Sequence, residues 1–82
     1  MYYVYVLKSL KDGNHYVGKT NDLKKRFYEH CTGKVPSTKN RLPVEIVYYE
    51  ASRNNKDATY RETYLKSAWG KRFIKHRIKN DI

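Results

Sequence analysis

Hydrophobic positions along the chain first gather in short extended runs and then recur at helical spacing, and the switches mark out six elements. Tyr2–Lys8 is rich in Tyr and Val and carries apolar side chains on both alternating faces, the pattern of a central strand. Lys11-Asp12-Gly13-Asn14 is a turn signal and His15–Gly18 resumes a strand, which predicts an antiparallel hairpin. Asn21 or Asp22 is placed to cap a helix on which Leu23, Phe27 and Cys31 form the apolar stripe and which Gly33 ends. Residues 34–43 read as a basic loop closed by Pro43, and Val44–Tyr49 as a third strand. A second helix opens at Asn54 or Asn55 and runs to Ser67, with Ala58, Leu65 and Trp69 as its stripe and Glu62 inside that stripe. Gly70 then breaks or kinks the chain, and Phe73, Ile74, Arg77 and Ile78 define a final short basic helix. The order strand, strand, helix, strand, helix, helix predicts an α+β fold, a three-stranded antiparallel sheet flanked by helices.

Length changes this picture little: 82 residues without repeat, low-complexity tract or linker read as one domain over residues 1–82. The longest apolar run, Tyr2–Leu7, falls well short of the roughly 18 residues of a membrane span, so no membrane partner is expected. The N-terminus lacks the parts of a signal peptide, and the lone Cys31 cannot form an internal disulfide, so a reducing, cytoplasmic setting is expected. Charge changes the picture more. The net charge is +10, and it is confined to two segments: residues 19–41 and residues 63–82 each carry +5, while the rest sum to zero. Positive charge gathered on particular elements is the footprint of phosphate binding, although two solvated Lys-rich helix faces would look the same. The 9 Tyr residues either cover sheet faces or line a wet functional surface.

Four constellations could carry chemistry. Tyr5 and Tyr16 stand on the two hairpin strands and share a face, either as a packing pair or as two phenols that orient a water or take a proton. Gly18-Lys19-Thr20 ends the second strand just before a helix N-terminus, where Gly permits close approach of a ligand to the backbone and the helix attracts anions. Gly13 stands five residues before Gly18, as in a phosphate-binding Walker loop, but Asn14–Val17 reads as strand where that motif needs a loop after a strand. Arg26 and His30, four apart, share a helix face, suited to phosphate contact and proton relay or merely solvated. Glu62 interrupts an apolar stripe, which a partner Arg, a metal or partial exposure would each explain. His15, His30, His76 and Cys31 lack zinc spacing, and no Ser/His/Asp or Cys/His arrangement is recognisable.

Together these residues resemble the GIY-YIG nuclease domain. Tyr3-Val4-Tyr5 resembles its first tripeptide and Tyr16-Val17-Gly18 its second, with Arg26, His30 and Glu62 following in order. The stretch from Tyr16 to Arg26 is also similar to the N-terminal nuclease domain of the bacterial excision-repair subunit that makes the 3′ incision, and Arg61-Glu62, Tyr64-Leu65-Lys66 and Trp69-Gly70-Lys71-Arg72 resemble the small stand-alone members. The resemblance implies phosphodiester hydrolysis with one Mg2+ (or Mn2+) ion on Glu62. It implies Tyr16 as general base with Tyr5 as its partner, Arg26 as the phosphate-stabilising group, Lys19 as its support and His30 at a position held by His or Tyr. Gly18 would allow close packing there. Tyr3 stands where the first Gly is expected, and Asn80 is the only candidate for an Asn found near the end of many members. Lys71, Arg72 and Lys75, in the second basic segment, match no catalytic position and are expected to hold nucleic acid. The reading is thus a nuclease acting on DNA, branched, damaged or otherwise irregular. A catalytically weak nucleic-acid-binding module, or an accessory protein whose charge serves solubility, would share the basic segments but have no need of a carboxylate facing phosphate.

Overall fold

The computed structural model describes residues 1–81; residue 82, the last of the expected domain, lies outside them. Elements run β1 (Tyr2–Ser9), β2 (His15–Thr20), α1 (Leu23–Cys31), a 3-10 turn at Lys39–Arg41, β3 (Val44–Ser52), α2 (Asn55–Lys66) and α3 (Ala68–Arg77). The sheet is antiparallel throughout with order β2-β1-β3, so the α+β architecture is as the order of elements predicts. β1 is central because both its faces are apolar. Val4 and Val6 join Ala58, Leu65 and Ile74 in one core beneath α2 and α3. Tyr5 and Leu7 join Val44 in a second core on the α1 side.

Short polar side chains set where each helix begins. The Asp22 carboxylate accepts from the Lys25 amide (3.1 Å), and Asn54 accepts from Lys56 (2.8 Å). Ser67 ends α2 and caps α3, its hydroxyl accepting from the Gly70 amide at 3.2 Å. That double role corrects the expected break at Gly70. The glycine lies inside α3, fully buried where α3 meets the end of α2, and a Cβ there would overlap the Tyr64 carbonyl and the Leu65 backbone. Trp69 accordingly belongs to α3 rather than to the stripe of α2, and it is 66% exposed.

One further expectation changes. On α1 the wholly buried residue is His30, not Cys31, which faces solvent. The helix is phased by what His30 bonds to, not by its apolar stripe alone. Residues 34–43 form the expected loop, with the 3-10 turn inside it and with Val35 and Thr38 buried.

Candidate active site

The hairpin register places the two phenols. Tyr5 lies opposite Gly18 and Leu7 opposite Tyr16, so Tyr5 and Tyr16 share a face diagonally rather than as a direct pair. Their ring centroids are 6.4 Å apart. Gly18 gives the Tyr5 hydroxyl its place, because a Cβ there would overlap the phenol oxygen and the adjacent ring carbon.

From α1, His30 completes an aromatic triangle, its ring 5.6 Å from Tyr5 and 5.2 Å from Tyr16. Its Nε2 is hydrogen-bonded to the Tyr5 hydroxyl (2.8 Å) and its Nδ1 to the Thr38 hydroxyl (2.7 Å). Arg26, one turn earlier, stands at the rim with its guanidinium 3.3 Å from the Glu29 carboxylate. The nearby Tyr5 hydroxyl, aided by Glu29, raises the Arg26 pKa despite partial burial. Burial pushes the Tyr5 phenol up, against the pull of Arg26. Burial, with Arg26 nearby, holds His30 below the ordinary histidine range, so the ring is neutral at pH 7.

A stability prediction follows from the sign of that shift. As pH falls through about 6.5, the unfolded chain takes up a proton at His30 that the folded chain refuses. Stability is therefore lost below that pH until the folded pKa is passed; His15, depressed by burial and Lys8, acts in the same sense. Urea unfolding at pH 7.5 and 5.5 should show a smaller loss in His30→Gln than in the wild type, and equal losses would refute the assignment.

α2 approaches from the other face, along the free edge of β2. Lys19 donates to Asn55 Oδ1 (2.8 Å) and Thr59 Oγ1 (2.7 Å), which hold its ammonium against the first turns of α2. Glu62 follows on the same helix face, half-buried, and its partner is Lys66 (3.1 Å) rather than an arginine. Its charge reaches Tyr5 and adds to the upward push on that phenol. Two phenols, a neutral imidazole, an arginine, a lysine and one carboxylate thus gather around one sheet edge, with an open polar cleft beside Lys19 and Arg26. Among the described residues no three His, Cys, Asp or Glu side chains cluster as a metal cage. A lone carboxylate suits an ion that keeps most of its waters and also binds phosphate, as Mg2+ does.

The second basic segment divides. Lys71 and Lys75 line a cleft of ≈ 480 Å³ with the hairpin turn, His15 and Arg41, and Lys71 also borders Tyr16. Arg72 turns away and lies over the Trp69 ring at 4.8 Å. Asn80 lies exposed in the turn beyond α3. Thr38, Arg41, Asn55 and Thr59 were not evident from the sequence as site residues. Only the polar spacing of Asn55 and Thr59, four apart on one helix, gave any signal for them.

Comparison with known proteins places this arrangement in a class. Residues 1–77 match the GIY-YIG catalytic domain family, and the chain belongs to that nuclease family. It is 45% identical over 67 residues to a UPF0213 protein of Clostridium perfringens, covering 80% of this chain and 71% of that one. A UPF0213 protein of Bacillus subtilis is 41% identical over 66 residues, 79% of this chain and 66% of that one. The solution structure of a UPF0213 protein from Bacillus halodurans superposes with a TM-score of 0.55 at 33% identity, covering 90% of this chain and 82% of that one. Among the described residues no helix is long and apolar enough to cross a membrane.

Proposed function

We propose that this chain is a divalent-metal-dependent endonuclease that hydrolyses phosphodiester bonds in DNA, with branched, damaged or otherwise irregular DNA as its substrate. The observation that carries the reading is the convergence of Tyr16, Tyr5, His30 and Arg26 from one sheet face with Lys19 and Glu62 from the other. Glu62 would hold a single Mg2+ or Mn2+ ion, which when bound offsets the negative charge building on the phosphate. Arg26 presents a guanidinium at the rim, suited to a bidentate phosphate contact. Lys19, fixed by Asn55 and Thr59, adds a second cation with little left to reorganise. Tyr16, half-buried against Tyr5 and His30, takes the proton of the attacking water, and those two buried rings keep its ring in place. Lys71 and Lys75 track the nucleic-acid backbone away from the reacting phosphate along the cleft that Arg41 completes.

The test is a cleavage screen of structured, nicked and single-stranded DNA and RNA with Mg2+ or Mn2+. Tyr16→Phe is expected to lower the rate by about 10²-fold or more while leaving binding in place, the usual size of a lost acid–base group. If no substrate is cut under any of these conditions, the chain is a binding module that keeps the fold. Binding itself is expected to weaken with salt. Replacing Lys71 and Lys75 by Ala should make the log–log slope shallower by about 1–2, one counterion per lost phosphate contact. An unchanged slope would remove the α3 cleft from the interface.

A further inference from the structure

Trp69 is the sole tryptophan of the chain, and the fold leaves it outside. It is 66% exposed, although packing ordinarily covers most of so large a side chain. With Tyr64, 39% exposed, and Phe73 it lines a groove of ≈ 450 Å³ that His76 and Arg77 complete. Arg72 lies over the indole at 4.8 Å, and Arg61 over the Phe73 and Tyr64 rings at 4.4 and 5.1 Å. Arg61 is also paired with Glu50. Among the described residues no carboxylate lines the groove, and α3 carries none. The helix thus has two unlike flanks. Trp69, Phe73 and His76 recur at helical spacing along one, and Lys71 and Lys75 along the other. The clefts that these two flanks border share no residue. An exposed Trp–Arg pair three residues apart contributes little to folding, so stability does not explain why the indole stands in water.

We propose that this aromatic groove binds a single-stranded nucleic-acid segment by stacking its unpaired bases, with Trp69 as the platform and Arg72 as the cation behind it. The groove shares no residue with the proposed cleavage centre, and the inference goes beyond that reading. Charge selects the class of partner. Rings framed by arginines, with no carboxylate among them, favour a polyanion. A second copy of a chain with net charge +10 would bring like charge against like. Shape selects within the class. A residue 66% exposed cannot have both faces of its ring covered, so Arg72 on one face leaves area on the other. An acidic peptide would pair its carboxylates with the arginines and make little use of that face. A nucleobase meets it with a flat π surface of its own, whatever the sequence. In a duplex both faces of a base are taken by its neighbours, so an unpaired base is the one that can offer a face.

The sole tryptophan is its own reporter. The full chain is titrated in EDTA, so that nothing is cut, with an oligo-dT strand of about 12 nucleotides, an abasic strand of the same length and poly-Glu. Oligo-dT is expected to quench Trp69 emission, and the abasic strand, which brings the same phosphates without bases, to leave it nearly unchanged. Trp69→Ala should weaken oligo-dT binding, measured by filter retention, by about 10-fold or more, and Trp69→Phe should restore most of it. Because the side chain is exposed, neither change threatens the core. No quenching by oligo-dT, or equal quenching by the abasic strand, overturns the proposal. So does a Trp69→Ala protein that binds oligo-dT as tightly as the wild type. Quenching by poly-Glu as strong as by oligo-dT would give the groove to an acidic protein segment, and emission that moves with protein concentration alone would give it to a second copy; either overturns the proposal. Cleavage plays no part in these readouts. A chain that cuts nucleic acid without quenching loses this inference and keeps the nuclease reading, and one that quenches without cutting does the reverse.

Discussion

Glu62→Gln is expected to abolish metal-dependent cleavage, a fall of at least about 10²–10³-fold in kcat, because a neutral amide offers the ion no charge. The variant separates chemistry from folding well. Glu62 is half-buried, and among the described residues its one partner, Lys66, lies four residues on along the same helix with its side chain mostly in water. Pairs of that kind contribute no more than about 0.5 kcal/mol, so the fold should survive the change. Binding should be retained or strengthened, since the substitution removes a negative charge facing phosphate and frees Lys66. Cleavage rate and affinity measured side by side check both halves. Undiminished cleavage would show that the metal is held elsewhere or that the activity is a contaminant.

The second large effect concerns the fold. Gly70→Ala would stabilise an ordinary exposed helix by about 1 kcal/mol. Here the sign is expected to reverse, with a loss of about 3 kcal/mol or more, at the upper end of what overpacking costs. The reason is the identity of the neighbours. The added methyl would overlap the Tyr64 carbonyl and the Leu65 backbone, which cannot swing aside as a flexible side chain can. For a domain this small, such a loss is a large share of total stability. Urea unfolding of the two proteins measures it, and a more stable Gly70→Ala would mean that α2 and α3 do not meet at this point.

Much of this architecture was legible in the sequence where a pattern is local. Val4, Tyr5, Val6 and Leu7 announce a strand covered on both sides, and Asp22, Asn54 and Ser67 sit where caps are needed. Tyr5 and Tyr16 could be placed on one face because strand parity survives a shift of register by two. Non-local features were not legible. Cys31 looks like the core residue of α1, but the buried residue is His30, whose partners Tyr5 and Thr38 lie 25 and 8 residues away. Trp69 fits the period of α2 and yet stands on α3, because Ser67 ends one helix and starts the next. The position of Lys19 against Asn55 and Thr59 depends on β2 being an edge strand, and strand order is not written in any window of sequence.

That single residue shared by α2 and α3 also has a mechanical meaning. A connection with no intervening segment has no slack, so the two helices turn as an elbow of fixed angle, wedged at Gly70. Glu62 lies on one arm and Lys71 and Lys75 on the other. The spacing between the carboxylate and the two lysines is therefore a ruler built into the backbone, and under the proposed function a nucleic acid bound along it would have to conform to the protein rather than the reverse.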